Sequence, residues 1–273
     1  MPNIAMTTDR IGPAPHIAVQ HVGVGALVLF LHGIGGSKEN WYHQLPVLAH
    51  RFRAAAWDAR GYGESDDYVG PCSFDDFADD VIRVCDFYQA PEAHLVGLSM
   101  GGRIAQNVYF RYPTRVASLT LVDTQLSFQQ RSEADRAQFL AARQAPLLAG
   151  KTPRDIAPVV VKSLVGPDAT HEAVQMCIES MSRLRTESYL KTLTATVNQQ
   201  VAGDLATIRV PCHVIVGEFD TLTPPSLSAS MAAKIPDAQL TVIPGAGHLS
   251  NMESPEVFNR AMAAFLDRID AGR

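Results

Sequence analysis

Cysteine is scarce in this sequence, which has four cysteines in 273 residues: Cys72, Cys85, Cys177 and Cys212. They show no CxxC spacing, and no cysteine stands at a zinc-ligand spacing from a histidine. This pattern excludes a disulfide-stabilised scaffold and a structural zinc site, and it fits a reducing compartment. We therefore expect a cytoplasmic protein that binds no metal.

Long hydrophobic runs and an excess of positive charge are also missing. No apolar run approaches the roughly 18 residues of a membrane-spanning helix, and residues 1–20 lack the apolar segment of a signal peptide. Lys and Arg number 23 against 28 Asp and Glu, which gives a formal net charge of -5. Because nucleic-acid binding needs a basic face that neutralises phosphates, the charge argues against nucleic acid as a partner. The missing apolar runs argue against a membrane. It does not predict an oligomeric state.

Hydrophobic residues, in contrast, make up 47% of the chain, enough for a large core. Short apolar runs alternate with segments of helical periodicity, and strands of continuous apolar sequence that are each followed by a helix predict an α/β protein with a parallel sheet covered on both faces. In such proteins the ligand lies beyond the carboxyl ends of the strands. We predict strands at residues 26–31, 53–57, 94–98, 116–122, 212–217 and 239–243, and helices from Ser73 and over residues 100–111, 227–233 and 255–269.

Residues 124–205 interrupt this alternation. The segment has no convincing strand and reads as several amphipathic helices broken by Pro146, Pro153, Pro158, Gly166 and Pro167. Because it starts at the carboxyl end of a strand, we expect a helical cap over the site, inserted into a core domain of residues 1–123 and 206–273. A helical subdomain without contact to any site is the alternative.

One serine has the surroundings of a catalytic nucleophile. Ser99 stands in Gly97-Leu98-Ser99-Met100-Gly101-Gly102, between a predicted strand and a predicted helix. A serine in so tight a turn needs very small residues two positions away on either side, and the turn exposes its hydroxyl at the sheet edge. The alternative is a glycine-rich turn with an incidental serine.

A serine hydroxyl becomes a nucleophile only when a base removes its proton. Among nine histidines, His248 has the best placement, because it ends the loop Pro244-Gly245-Ala246-Gly247-His248 after a predicted strand. The carboxylate that would orient the imidazole is Asp220, just beyond strand 212–217. Asp123, at the end of strand 116–122, and the weaker candidate Glu218 are its rivals. The chain order serine, aspartate, histidine fits a nucleophile elbow.

A glycine-rich loop, His32-Gly33-Ile34-Gly35-Gly36, follows the first predicted strand. Such a loop turns a backbone N–H inward, and we predict an oxyanion hole made by the amides of Ile34 and Met100. We expect His32 to be structural, with its imidazole bonded to the backbone. A phosphate-binding turn would need GxGxxG or Gly-Lys-Ser/Thr spacing, which this loop lacks, so we expect no nucleotide or other cofactor.

Taken in order, these motifs resemble those of the α/β-hydrolase fold superfamily, from about residue 26 to about residue 266. The resemblance implies an eight-stranded, mostly parallel sheet, a helical cap after the sixth strand, and a structural role for Asp58 and Arg60. Within the superfamily, the elbow and the Asp-Ala-Arg-Gly segment are similar to those of 3-oxoadipate enol-lactonases and bacterial carboxylesterases. The motifs are His32-Gly33, Asp58-Ala59-Arg60-Gly61-Tyr62-Gly63-Glu64-Ser65, Gly97-Leu98-Ser99-Met100-Gly101-Gly102, Gly217-Glu218-Phe219-Asp220 and Gly247-His248.

Motifs and resemblance together predict hydrolysis of a small-molecule carboxylic ester or lactone through an acyl-enzyme. A C–C bond hydrolase or a cofactor-free perhydrolase on the same triad, and a small-molecule receptor with vestigial hydrolysis, are the alternatives. Gly33, Gly35 and Arg103 are predicted to contact the substrate, with Arg183 and Arg185 as further partners for a substrate carboxylate. Apolar cap residues either line the pocket or pack the cap's own helices: Phe128, Phe139, Leu147, Leu148, Met176, Met181 and Leu184.

Overall fold

A single sheet organises the computed structural model, which describes residues 5–200 and 203–271. Its strands are β1 (Thr7–Ile11), β2 (Ile17–Val22), β3 (Ala26–Leu31), β4 (Phe52–Trp57), β5 (Ala93–Leu98), β6 (Val116–Val122), β7 (Cys212–Gly217) and β8 (Gln239–Ile243). The eight strands lie in the order β1-β2-β4-β3-β5-β6-β7-β8. The pairs β1–β2 and β2–β4 are antiparallel, and all the others are parallel. The sheet is thus mostly parallel, as expected.

The helices cover both faces of the sheet. They are α1 (Leu45–Leu48), α2 (Phe74–Phe87), α3 (Met100–Arg111), α4 (Glu133–Leu148), α5 (Pro153–Lys162), α6 (His171–Ser182), α7 (Thr186–Asn198), α8 (Pro225–Lys234), α9 (Ser250–Glu253) and α10 (Pro255–Ala271). Apolar side chains of α2, α3 and α8 belong to the buried cluster on one face, and those of α1 and α10 to the cluster on the other. None of these helices, within the residues described, combines the length and the hydrophobicity that a membrane crossing requires.

Helix α2 shows how the local sequence sets a helix start. The Ser73 side chain accepts a hydrogen bond from the Asp75 amide, which makes Ser73 the predicted N-cap. Asp75 and Asp76 occupy the first turn, where carboxylates complement the positive end of the helix dipole. Phe77 and Val81 lie on the buried face. The sequence signals for this helix agree with one another, and the helix forms where they place it.

Helices α4 to α7, hereafter the inserted helices, lie between β6 and β7. The expectation that Pro146 and Pro158 break helices is wrong, because Pro146 lies inside α4 and Pro158 inside α5. A proline leaves the carbonyl four residues earlier without its N–H partner. These carbonyls belong to Ala142 and Arg154, which are both exposed, so water can bind them. Pro153 occupies the first turn of α5, where proline is well tolerated.

The register of the parallel strands brings the predicted site residues to one edge. Leu31 pairs with Gly97, and Leu98 pairs with Val122. Val122 in turn pairs with Ile215, and Gly217 pairs with Ile243. The loops that follow these strands therefore start side by side at the carboxyl edge of the sheet.

Candidate active site

Ser99 occupies a strained turn between β5 and α3. Its φ and ψ are 53° and -111°, a region that non-glycine residues rarely adopt. A Cβ on Gly97 would lie within 3.0 Å of the Gly101 backbone, and a Cβ on Gly101 would lie within 3.0 Å of the Leu31 carbonyl oxygen. The Ser99 amide donates to Val122 O at 2.8 Å, and Thr124 Oγ1 donates to Ser99 O at 2.6 Å. Hydrogen bonds to Val122 and Thr124 thus hold the strained conformation, and only glycine fits at positions 97 and 101.

His248 is held by contacts on both sides of its loop. Its amide donates to Leu164 O at 2.7 Å, in the turn between α5 and α6. The buried carboxylate of Glu253 accepts from the amides of Gly247 and Leu249, both at 3.0 Å, and from that of Gly166 at 2.6 Å. Sequence reasoning missed Glu253, whose only signal is an acidic residue in a short segment before the last helix. This carboxylate positions the histidine loop.

Asp220 has the contacts expected of the orienting carboxylate. Its Oδ1 accepts from the amides of Leu222 and Thr223 at 2.8 and 2.9 Å, and its Oδ2 accepts from Thr223 Oγ1 at 2.6 Å. Its Oδ2 also lies 2.8 Å from His248 Nδ1. On the other side of the imidazole, His248 Nε2 lies 2.9 Å from Ser99 Oγ. Carboxylate, imidazole and hydroxyl therefore form one continuous hydrogen-bonded chain.

The rival carboxylates have other partners. Asp123 accepts from the Gly217 amide at 2.8 Å and from the amide and hydroxyl of Ser250 at 3.0 and 2.6 Å. Glu218 accepts from the Gly245 amide at 3.0 Å. Both carboxylates thus brace loops at the edge of the sheet, and the hydrogen bond to the imidazole comes from Asp220.

The protonation of His248, Asp220 and Asp123 follows from the burial of these groups and from their charges on one another. Burial alone would lower the pKa of His248, but the charge and hydrogen bond of Asp220, together with the charge of Asp123, raise it above the usual 6.5. Burial opposes the charged form of Asp220, yet the imidazolium and the hydrogen bonds from Thr223 hold the pKa of this carboxyl below its usual range. Burial and the charge of Asp220 raise the pKa of Asp123 well above its usual range. The site therefore favours an aspartate–imidazolium pair, the charge state that forms when a serine loses its proton to histidine.

The two residues predicted to supply the oxyanion donors lie at the same cavity as the serine. Ile34, Ser99 and Met100 line one small cavity. Met100 is the first residue of α3, and the first amides of a helix have no intrahelical acceptor. In the ranges 5–200 and 203–271, neither the Ile34 nor the Met100 amide bonds to a side chain or a loop carbonyl. Both N–H groups are therefore available to a bound oxygen atom.

The cavity at Ser99 and His248, hereafter the main cavity, has a volume of about 50 Å³ and lies between the sheet edge and the inserted helices. Both core and insertion contribute to its lining, and the lining is mostly apolar. It includes the predicted Gly33, Gly35, Phe139 and Met181, with Ile34, Ser99, Arg143, Tyr189 and His248. A second cavity of about 20 Å³, hereafter the side cavity, shares Ile34, Ser99, Phe139 and Leu222 with it.

Each of the two alternatives for the apolar cap residues holds for some of them. Phe139 and Met181 line the main cavity, and Phe128 lines the side cavity. Leu147, Met176 and Leu184 line neither cavity, and Leu148 is 73% exposed at the end of α4. These four side chains pack the insertion or face solvent, because their positions turn them away from the sheet edge.

The predicted arginines separate into two groups. Arg183 pairs with Glu39 at 2.6 Å and Arg185 with Asp67 at 2.7 Å, so neither is available to a substrate. Arg103 lines the side cavity and is 2% exposed. Sequence reasoning missed Arg143, which lines the main cavity with its guanidinium 3.9 Å from the centre of the Phe139 ring. Nothing in its local sequence distinguishes this arginine from one on a helix surface.

Three further predicted residues have the expected structural contacts. His32 Nδ1 lies 2.8 Å from Gly33 O, and its Nε2 accepts from the Ala59 amide at 3.1 Å. Asp58 forms a buried ion pair with Lys38 at 2.8 Å. Arg60 binds the buried Asp80 at 2.6 and 2.8 Å. These contacts brace the loops after β3 and β4 from outside the cavity.

Comparison with known proteins agrees with this fold. A family model described as alpha/beta hydrolase fold matches residues 26–255. The chain is 26% identical over 249 residues to 3-oxoadipate enol-lactonase 2 of Acinetobacter baylyi, covering 89% of both proteins. It is 30% identical over 247 residues to the dihydrolipoyllysine-residue acetyltransferase component of the acetoin cleaving system of Pseudomonas putida, covering 89% of this chain but 64% of that protein. A malate-bound esterase structure from Thermogutta terrifontis is 28% identical, with a TM-score of 0.86 over 97% of this chain and 99% of that one.

Proposed function

This chain belongs to the α/β-hydrolase fold family, and on that premise we propose that it is a serine hydrolase of small-molecule carboxylic esters or lactones. The observation that carries the proposal is the chain of contacts from Asp220 to His248 at 2.8 Å and from His248 to Ser99 at 2.9 Å. These are distances at which a proton is transferred between hydrogen-bonded atoms. Similarity to an esterase and to an enol-lactonase supports the same bond type.

The reaction has two steps in this proposal. Ser99 Oγ attacks the carbonyl carbon while its proton passes to His248 Nε2, and Asp220 stabilises the resulting imidazolium. The carbonyl oxygen becomes an oxyanion bound by the amides of Ile34 and Met100. Loss of one such donor costs about 3 kcal/mol in the barrier. The imidazolium then protonates the leaving alkoxide, and a water molecule hydrolyses the acyl-enzyme with the same groups in reversed roles.

The inserted helices are the cap of this proposed enzyme. They supply Phe139, Met181 and Tyr189 to the main cavity, opposite the nucleophile. An apolar lining removes water from the reacting carbonyl, which strengthens the interaction between the oxyanion and its donors. Substrate choice then depends on the shape and charge that the cap presents. Every group that the mechanism uses belongs to the chain, the substrate or water, so the proposal involves no metal and no organic cofactor.

Covalent labelling tests the proposal. A fluorophosphonate should modify the wild type at one residue, Ser99, and Ser99→Ala should abolish the modification. Ser228→Ala is a matched control, since this buried serine on α8 has no hydrogen-bond partner within the described chain, and it should be labelled like the wild type. Wild type should hydrolyse short p-nitrophenyl esters, and His248→Ala should lose this activity. Folded protein that is not labelled would refute the proposal, and labelling without turnover would indicate a receptor.

A further inference from the structure

The side cavity opens beside the nucleophile and is lined by polar groups on one part of its wall. Its volume of about 20 Å³ accommodates one or two groups the size of a water molecule. Four of its lining residues also line the main cavity, so a ligand in the main cavity can extend into it. Arg103, Gln125 and Thr196 line the side cavity but not the main cavity. The side cavity is therefore a candidate subsite for a small polar substituent.

The guanidinium of Arg103 has more N–H donors than its surroundings have acceptors for them. Its Nη2 donates to Thr196 O at 2.6 Å, while its Nε and Nη1 are buried and have no acceptor within residues 5–200 and 203–271. The rings of Phe74 and Phe128 lie 4.9 and 5.3 Å from the guanidinium carbon. Within the same described ranges, no carboxylate lies within ion-pair distance of Arg103. Its neighbour Gln125 adds a third buried donor without an acceptor, Nε2.

A buried arginine normally has an anionic partner, and this protein provides an internal comparison. Arg60 binds both carboxylate oxygens of the buried Asp80. Arg103 lies deeper, and burial lowers the pKa of its guanidinium to about 9 because no anion compensates the charge. At neutral pH the group is still protonated. The site thus holds a buried positive charge beside the side cavity, and two of its guanidinium nitrogens lack an acceptor within the described residues.

We propose that the side cavity binds a carboxylate of the substrate through Arg103 and Gln125, so that the enzyme acts on carboxylate-bearing esters or lactones. This inference rests on the proposed function, since it describes the substrate of the same serine. The planar guanidinium presents parallel N–H groups that match the two oxygens of a carboxylate.

Arg143 is the rival anchor for such an anion. It lines the main cavity, stacks on Phe139 and has no ion-pair partner in the described part of the chain. It is only half-buried, so solvent offsets part of its charge. Arg103 has the greater deficit of acceptors, because two of its nitrogens are completely enclosed. An anion bound to Arg103 therefore offsets a larger free-energy cost of charge burial than an anion bound to Arg143.

The experiment compares matched substrates that differ in one charge. Monoethyl glutarate and monoethyl adipate are each compared with the neutral carboxamide of the same length, and acetate esters of hydroxy acids are compared with those of the hydroxy amides. The measured quantity is the ratio of kcat/KM for the anionic and the neutral member, from which any difference in active enzyme concentration cancels. We expect at least a tenfold preference of the wild type for the anion in one of these series.

The variants assign the preference to a residue. Arg103→Gln should lower the ratio at least tenfold, and Arg103→Lys, which keeps the charge but loses the planar geometry, should retain part of it. Arg143→Gln tests the rival anchor and should change the ratio less than threefold. If Arg103→Gln does not fold, Arg103→Lys and competitive inhibition of the wild type by glutarate against glutaramide provide the same comparison.

The outcomes separate the two proposals. A wild type that is labelled at Ser99 and hydrolyses neutral esters, but whose ratio is below two in every series, overturns the carboxylate subsite and leaves the serine hydrolase standing. A preference that survives in Arg103→Gln and disappears in Arg143→Gln also overturns it. Absence of labelling and of turnover refutes the proposed function, and the subsite with it.

Discussion

Replacing Asp220 with asparagine tests the proposed role of this carboxylate through the tautomer of His248. The amides of Leu222 and Thr223 both donate to Oδ1, so the asparagine oxygen takes that position and its NH₂ group replaces Oδ2. The NH₂ group then donates to His248 Nδ1, which must act as an acceptor. The imidazole proton moves to Nε2, and this nitrogen can no longer accept the proton of Ser99.

The magnitude follows from the loss of the general base. A wrong tautomer in a correctly placed triad lowers kcat about 10⁴-fold, which corresponds to about 5 kcal/mol in the barrier. Asp123→Asn is the matched control, because Asp123 bonds to Gly217 and Ser250 and not to the imidazole. We expect it to lower kcat less than tenfold and to act mainly on the melting temperature.

The assay measures the initial rate of p-nitrophenyl butyrate hydrolysis. The rates are divided by the active fraction of the protein, which is the fraction that a fluorophosphonate labels in the wild type. Thermal unfolding followed by circular dichroism shows whether each variant is folded. The reasoning is wrong if folded Asp220→Asn retains more than a tenth of the wild-type kcat. It is equally wrong if Asp123→Asn loses more activity than Asp220→Asn, because Asp123 would then be the orienting acid.

Two more predictions concern the pH profile and the elbow. The acid limb of kcat/KM should have an apparent pKa above 6.5, because the charges of Asp220 and Asp123 outweigh the burial of His248. Activity should be lost as the pH falls through this pKa. An acid limb at or below 6.5 in a pH–rate profile would contradict the prediction. Gly101→Ala should lower stability by about 2 kcal/mol or more in urea unfolding and reduce activity, because its methyl would overlap the Leu31 carbonyl. Gly150→Ala, whose methyl meets no atom within 4 Å, should cost only the strain of its positive φ, and equal losses in the two variants would refute the steric argument.

The central strands and the three proposed catalytic residues are predictable because their signals are local. A buried parallel strand is a short apolar run, and β3, β5, β6 and β7 all have this form. The antiparallel strands β1 and β2 escaped the residue-based prediction, since an antiparallel strand needs only one buried face and the edge strand β1 is mostly exposed. Only the resemblance to a family implied an eight-stranded sheet. Local pattern therefore identifies the parallel strands, which carry the site, better than the antiparallel ones.

Contacts between residues distant in sequence could not be predicted in the same way. Glu253 accepts hydrogen bonds from amides of the histidine loop and from the amide of Gly166, which is 87 positions away. Arg103 and Arg183 are alike in the sequence, and both were considered for a substrate carboxylate. Their difference depends on whether a carboxylate lies nearby: Glu39 pairs with Arg183, and no such partner lies near Arg103 in the described part of the chain. Charge compensation in a core is a property of the folded chain.

The turn between α5 and α6 constrains how the inserted helices can move. Leu164 O accepts from the His248 amide at 2.7 Å, and the Gly166 amide donates to Glu253 at 2.6 Å. A Cβ on Gly247 would lie within 3.0 Å of Leu164 O, so the two loops pack backbone to backbone. A displacement of the whole insertion would break these bonds and shift the imidazole from Ser99. A movement of the insertion that preserves the contact between His248 and Ser99 must therefore occur in its other elements, such as α4 with α7, while the turn that holds the histidine loop stays in place.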